Sequence, residues 1–172
     1  MTPADLLKDA FGRIVDGGTG VVDGLTEEEL THRLAPEANT IAWLVWHSAR
    51  VQDDHVADVA GTEQVWTSQR FAERFALPFD VGATGFGQSS DEVGQVRASA
   101  DLLAAYLTAT HEATMAFLDT VTDADLDRVV DTRWDPPVTL GVRLVSVVND
   151  DTQHLGQAAY VRGLLGKEVR LV

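Results

Sequence analysis

Two residues in the C-terminal part of the chain, Asp150 and His154, stand four positions apart in a segment with the pattern of a long helix. Their side chains are therefore about 6 Å apart along the helix axis and about 40° apart around it. A carboxylate and an imidazole placed in this way can hold one metal ion together. Asp151, three residues before His154, can do the same. Asp150 is the preferred ligand, and Asp151 remains open as an alternative.

A third ligand is expected from His47, which lies in a second apolar helical segment. Three protein ligands leave one coordination position open for water or substrate, which is typical of a catalytic metal site. Two imidazoles and a carboxylate suit Zn²⁺, and also Fe²⁺ or Ni²⁺, with zinc as the default. Such an ion lowers the pKa of a bound water or thiol, so that an anion exists at neutral pH.

The same histidines also have a purely structural interpretation. A single histidine on an apolar helix is more often a hydrogen-bonded core residue than a ligand, and short motifs have many false positives. His55 lies about 10–12 Å from His47 along the helix, too far to share its ion easily. Asp54 is expected to pair with an arginine such as Arg50, four residues earlier.

Two further polar residues of the last helix have candidate roles near the metal. Arg143, two turns before Asp150, can bind a substrate carboxylate beside the open coordination position. Its alternative role is an ion pair with one of the chain's 27 acidic residues. Gln157 can hydrogen-bond a ligand imidazole, or it can cap a neighbouring backbone group.

Four long amphipathic helices must position these residues. The predicted ranges are about 3–23, 40–60, 90–121 and 140–165, with short helices after Thr26, within residues 70–75 and after Thr122. A long, partly glycine-rich link over residues 62–89 permits a crossover, and connections of this length are usually functional. The short link between helices 3 and 4 favours their being neighbours in space. Residues 167–172 are interpreted as a loose strand. The predicted fold is all-α: one four-helix bundle domain over residues 1–172.

Composition narrows the classes of function. The net charge of −14 argues against nucleic-acid partners and anionic membrane surfaces. With no cysteine, disulfides, thiolate metal sites and cysteine nucleophiles are excluded. No apolar run approaches the roughly 20 residues of a membrane span, and the start of the chain lacks the pattern of a signal peptide. A cytoplasmic protein is therefore expected.

The chain resembles the DinB/YfiT-like superfamily, which includes the N-terminal domain of mycothiol-dependent maleylpyruvate isomerase. The residues that carry the resemblance are Trp43-Leu44-Val45-Trp46-His47 on helix 2 and His154-Leu155-Gly156-Gln157 on helix 4. The order of four helices, with a long link after the second, is also similar. The resemblance covers almost the whole chain.

This resemblance implies a four-helix bundle with a divalent metal at one end of its core. Many family members use three histidines, one on helix 2 and two on helix 4. In the maleylpyruvate isomerase type, the first residue of the helix 4 pair is a glutamate. The matching residues here are His47, Asp150 and His154, so the departure is an aspartate, one methylene shorter, which puts metal affinity in doubt more than the position of the site.

Three functions follow as hypotheses. Family members often use a low-molecular-weight thiol such as mycothiol or bacillithiol, which implies a metal-dependent S-transferase or isomerase acting on a small-molecule substrate. The second hypothesis is a non-catalytic metal- or ligand-binding bundle that forms a homodimer through a helix face. The third is a metal-activated hydrolase, in which hydroxide replaces the thiolate.

Overall fold

The computed structural model describes residues 1–168 of the chain, and its regular structure is almost all helical. This confirms the all-α prediction. The four long helices are α1 (Pro3–Val22), α3 (Ile41–Ala60), α7 (Ala100–Leu118) and α8 (Leu140–Leu164). Between them lie the short helices α2 (Glu27–Leu30), α4 (Val65–Ser68), α5 (Phe71–Phe75) and α6 (Ser90–Val93), a 3₁₀ helix (Asp123–Asp127), and the antiparallel pair β1 (Val129–Asp131) and β2 (Val138–Thr139).

Each long helix begins at a hydroxyl side chain. Thr2, Thr40, Ser99 and Thr139 each accept a hydrogen bond from the backbone N–H three residues later. These caps satisfy backbone donors that have no partner within the helix. The caps at residues 2, 40 and 139 fall where the sequence predicts the first, second and fourth helices to begin.

The start of the third long helix differs from the prediction. Ser89 and Glu92 do form a capping box, but it begins only the single turn of α6. The chain then leaves the helix at Gly94 and starts again at Ser99, which caps α7. Residues 89–99 contain two N-cap signals, and the sequence pattern did not separate them.

The arrangement of the bundle contradicts one expectation. Helices α1 and α3 each pack against both α7 and α8, so α7 and α8 lie diagonally opposite each other. Their link was expected to make them neighbours. Residues 119–139 instead carry the 3₁₀ helix and the β1–β2 pair, and this is enough chain to cross the end of the bundle.

Gly18 explains why α1 remains one helix in spite of its glycines. A Cβ at this position would lie 2.3 Å from Leu107 Cδ2 of α7 and 3.3 Å from Leu155 Cδ2 of α8. Glycine costs about 0.5–1 kcal/mol in a helix interior relative to alanine. Here its missing side chain allows α1 to approach two helices at once, so tertiary packing outweighs the local preference.

The C-terminal prediction is only partly within the described residues. Lys167 and Glu168 have no regular secondary structure, and residues 169–172 lie outside the described part of the chain. Within residues 1–168, none of the helices has the length and apolar character needed to cross a bilayer.

Candidate metal centre

Helices α3 and α8 run antiparallel and share the longest interface in the bundle. Leu44, near the start of α3, lines a groove with Tyr160, near the end of α8. This pairing sets His47, one turn further along α3, opposite the middle of α8. The amphipathic patterns of two separate helices thereby bring together residues that are more than 100 positions apart in sequence.

His47, Asp150 and His154 form a cluster of ligand type. One side-chain ligand atom from each lies within 4.8 Å of the others. Nε2 of His47 is 3.8 Å from Asp150 Oδ2, and Nε2 of His154 is 3.7 Å from Asp150 Oδ1. Ligands about 2.1 Å from a tetrahedral zinc ion stand about 3.4 Å apart, so a few tenths of an ångström separate these pairs from that spacing.

The neutral tautomer of His47 leaves one ring nitrogen free to bind a metal ion. Its Nδ1 lies 2.6 Å from the carbonyl oxygen of Thr84, to which it donates as an N–H, since a carbonyl can only accept. Nε2 therefore keeps its lone pair and faces Asp150. Burial lowers the pKa of His47 below its ordinary value of 6.5, which favours the neutral, metal-binding form at neutral pH.

The glycine-rich loop of residues 82–88 contacts His47. Gly85 has a φ of 97°, and a Cβ there would lie 2.7 Å from His47 Nδ1. The ring of Trp43 stacks on His47 with 4.5 Å between centroids, and its indole N–H donates to Gln88 Oε1 at 2.7 Å. The glycines of this link are visible in the sequence, but the contacts of Thr84 and Gly85 with His47 depend on the tertiary structure.

Two atoms of the cluster are buried without a hydrogen-bond partner in the described structure: Asp150 Oδ2 and His154 Nδ1. The side chains themselves keep some contact with solvent, 39% exposed for Asp150 and 19% for His154. Polar atoms without partners are costly when buried. Two imidazoles and a carboxylate that face each other with unused capacity fit a divalent ion, and the partial exposure leaves access for a ligand.

The two candidate aspartates, Asp150 and Asp151, point to different places in the structure. Asp150 lies in the cluster, whereas Asp151 is fully buried in the core, and neither of its carboxylate oxygens has a hydrogen-bond partner among the described residues. Burial raises the pKa of Asp151 far above the ordinary carboxyl range. The described cluster therefore contains the preferred aspartate and not the alternative.

The other residues singled out in the sequence take the following places. Arg143 donates to Asp131 Oδ2 at 2.9 Å, so it has the ion pair expected as its alternative role. Asp131 also accepts from Arg133, and these contacts hold the pKa of its carboxyl well below the usual range. Gln157 is exposed and lines the groove beside Tyr160. The roles proposed for Arg143 and Gln157 at the metal stay predictions.

Asp54 does not pair with Arg50, contrary to expectation. It accepts a hydrogen bond from Gln64 at 2.8 Å. Arg50 donates to the same Gln64 at 2.9 Å, and it extends into a buried network in which it lies 3.7 Å from Asp53 and donates to Tyr106 at 3.2 Å. The i, i+4 spacing is present in the sequence, but the amide of Gln64 bridges the two side chains, and the charged neighbour of Arg50 is Asp53.

The buried network around Arg50 is the second polar cluster on α3. Asp53 accepts hydrogen bonds from the backbone N–H groups of Val65 and Trp66 and from the hydroxyl of Tyr106, at 2.7–2.8 Å. Arg50 also donates to Ala83 O, and its guanidinium lies 5.0 Å from the ring of Trp66. The network ties α3 to the start of α4 and to α7, and no local sequence pattern predicts it because its members come from three separate segments.

Comparisons with known proteins agree with the fold. The family model described as mycothiol-S-transferase matches residues 6–166. A crystal structure of a conserved protein from Enterococcus faecalis is similar to this chain with a TM-score of 0.89 and 32% sequence identity, over 97% of this chain and 99% of that one. No curated protein matches the sequence. The match to the family model confirms the resemblance to the DinB/YfiT-like superfamily.

Proposed function

The chain belongs to the mycothiol-S-transferase family, and from this premise we propose that it is a metal-dependent thiol S-transferase or isomerase. In this proposal residues 1–172 form one domain, and His47, Asp150 and His154 bind a single divalent ion. The ion is zinc by preference, with nickel or iron as alternatives. The observation that carries the proposal is the three-residue cluster, in which His47 already presents Nε2 to Asp150.

The chemistry of the bound ion would be to keep a thiol such as mycothiol in its anionic, nucleophilic form at neutral pH. The protein's own residues supply orientation. Thr84 fixes the ring of His47 through Nδ1, and Trp43 stacks on that ring. Such support commonly changes metal affinity by about 10–100-fold when it is removed. The sequence has no cysteine, which fits a thiol supplied by a small molecule.

A positively charged residue on α8 could bind the electrophilic substrate. Arg143 lies two turns from Asp150 on the same helix. The pKa of His55 is lowered, mainly by burial and next by the positive charge of Arg143. We propose that Arg143 can bind an anionic group of the substrate while it remains held by Asp131. Gln157 lies on the C-terminal side of His154 in α8, and we propose that it hydrogen-bonds the bound substrate or thiol. We place the reaction in the cytoplasm, where thiols are kept reduced.

We further propose that the protein forms a homodimer through the outer face of α8. Its exposed residues from Val142 to Leu164 carry no charge, and they include Val145 and Tyr160. Two copies of a chain with net charge −14 repel each other over most of their surface, so an uncharged helix face is where they can meet. Sedimentation velocity tests this: Val145→Lys should give a monomer, whereas Thr108→Lys, on the exposed side of α7, should not. A wild-type monomer at all concentrations would refute the dimer.

The metal site is tested first by elemental analysis of tag-free protein. We expect about one metal per chain in the wild type, and loss of metal in His47→Ala and His154→Ala. The matched control is His32→Ala, because His32 is an exposed histidine outside the cluster. Metal-free wild-type protein, even after reconstitution with zinc, nickel or iron, would reduce both histidines to core residues and remove the basis of the enzyme proposal.

The reaction class is tested on the metal-loaded protein with 1-chloro-2,4-dinitrobenzene as electrophile, with and without mycothiol. We expect conjugation that needs both mycothiol and the metal. Hydrolysis of an ester panel without any thiol would instead establish the metal-activated hydrolase. Full metal occupancy with no turnover in either assay would favour the non-catalytic metal-binding bundle.

A further inference from the structure

A cavity lies between α3 and α7, away from the interface of α3 with α8 that contains the metal cluster. It has a volume of about 470 Å³, is open to solvent on one side, and is lined by the C-terminal half of α3, α4 and the C-terminal half of α7. Ligand pockets in proteins are typically about 300–1,000 Å³, and they often lie between the helices of bundles. We infer that this α3–α7 cavity is a binding site for a small, neutral, mainly apolar molecule that carries one hydrogen-bonding group.

The space exists because the facing helices present small side chains. Four alanines line the cavity, two from each long helix: Ala57, Ala60, Ala113 and Ala116. Val56 and Phe117 add larger apolar surface. An apolar molecule seated there would remove this surface from water, which is favourable at roughly 25 cal/mol per Å².

One hydroxyl in the cavity has no partner. Thr110 lines it, is 1% exposed, and its Oγ1 makes no hydrogen bond within the described structure. Helical threonines usually donate to the carbonyl four residues earlier. Thr114, one turn later, does so to Thr110 O at 2.9 Å. A buried hydroxyl left without a partner is costly, so a ligand group that reached Thr110 Oγ1 would gain a hydrogen bond at the wall of the cavity.

The charges of the lining exclude anions. Its charged residues are Asp53 and Glu63, both acidic, and the lining contains no lysine or arginine. Asp53 is already occupied by three hydrogen bonds and by Arg50. Glu63 is exposed at the rim. Carboxylates and phosphates would therefore be repelled, and no buried carboxylate is free to hold a cation, which leaves a neutral ligand.

The inference is independent of the proposed function. His47, Asp150 and His154 belong to the interface of α3 with α8, and none of them lines the α3–α7 cavity. Loss of the metal should leave binding in the cavity unchanged, so the two proposals can fail separately.

The probe for the test is 2-naphthol, a neutral aromatic molecule with one hydroxyl. Its binding is followed by calorimetry and by the backbone amide shifts of residues 110–117 in NMR spectra. We expect saturable binding, and no saturable binding of 2-naphthoate, which has the same rings and a negative charge. Absence of saturable 2-naphthol binding up to its solubility, or equal binding of 2-naphthoate, would overturn the inference.

Two variants locate the site. Ala113→Leu fills the cavity from an exposed position and should weaken 2-naphthol binding at least ten-fold, whereas Thr108→Leu, on the exposed side of α7 away from the cavity, should not. Thr110→Val removes the hydroxyl and should weaken 2-naphthol about five-fold while leaving naphthalene unchanged. Binding that Ala113→Leu does not affect would refute the site. An equal loss for both probes in Thr110→Val would refute the hydrogen bond.

Discussion

Helix α3 carries two polar clusters, one towards α7 and one towards α8, and they differ in whether their carboxylate oxygens have hydrogen-bond partners. On the face towards α7, both oxygens of Asp53 accept hydrogen bonds, from two backbone N–H groups and from Tyr106, while Nη2 of the buried Arg50 has no hydrogen-bond partner in the described structure. On the face towards α8, His47 meets Asp150, whose Oδ2 has no hydrogen-bond partner in the described structure.

This difference indicates that the first cluster stabilises the fold and that the second is available to bind an ion. A buried polar network with partners ties helices together, and its loss is costly because it leaves charges unpaired. A cluster of ligand atoms with unused capacity contributes little to stability without its ion and is available to bind one. The comparison predicts that changes in the first cluster will affect folding and that changes in the second will affect metal binding.

The largest effect is expected from Asp53→Ala. This change removes the acceptor of two backbone N–H groups and of Tyr106, and it leaves Arg50 as an unpaired buried charge. The free energy of unfolding of the metal-free protein should fall by about 3–5 kcal/mol, measured by urea denaturation. Asp54→Ala, at the half-buried neighbouring position, is the control and should cost less than 1 kcal/mol, roughly the value of an exposed polar contact. Equal losses would contradict the contrast between the two faces.

The next largest effect concerns metal affinity. Asp150→Asn keeps the shape of the side chain but removes its charge, and we expect affinity to fall about 100-fold, on the order of 3 kcal/mol. Asp150→Glu should keep one metal per chain with an affinity within about ten-fold of wild type, since the carboxylate is retained. Competition with a metal-binding dye measures both. If Asp150→Asn and Asp150→Glu have the same metal affinity, Asp150 is not a metal ligand.

A smaller effect is expected from the loop above His47. In Gly85→Ala the new Cβ would stand 2.7 Å from His47 Nδ1, which displaces the ring or breaks its bond to Thr84. Metal affinity should fall about ten-fold. Gly87→Ala is a matched control, because Gly87 also has a positive φ, of 75°, but a Cβ there would meet nothing within 4 Å. A similar loss in both variants would assign the effect to backbone strain alone.

The smallest effect, and one of opposite sign, is expected from Asp151→Leu. Neither carboxylate oxygen of Asp151 has a partner in the described structure, so an apolar side chain of similar shape should stabilise the protein by about 1–2 kcal/mol. Metal content should not change. A loss of metal in this variant would restore Asp151 as the alternative ligand.

The pH dependence of stability provides a further check on Asp151. Its pKa is raised in the folded state by burial, so the folded protein keeps a proton that the unfolded chain releases near the ordinary value of 3.8. The stability from this group is therefore present below pH 3.8 and is lost as the pH rises towards the folded-state pKa. Metal-free wild type should lose stability over this range relative to Asp151→Leu, as followed by urea denaturation at several pH values. Parallel curves would mean that Asp151 does not retain its proton.

Much of the site was predictable because its signals are local. The spacing of Asp150 and His154 fixes their relation on one helix, and the apolar pattern around His47 identifies a second. The helix caps at Thr2, Thr40 and Thr139 were visible for the same reason. The start of α7 was not, because Ser89 and Ser99 both have the pattern of an N-cap and only packing decides which begins the long helix.

The sequence by itself determined the helical class, the apolar faces and the candidate ligands, since these depend on spacing within a few turns of chain. Only the tertiary structure decided that α7 and α8 lie diagonally, that Arg50 faces Asp53 and not Asp54, and that Thr84 orients His47. Each of these depends on contacts between distant segments. Their energies come from which faces of the helices are buried together, and local spacing does not determine that.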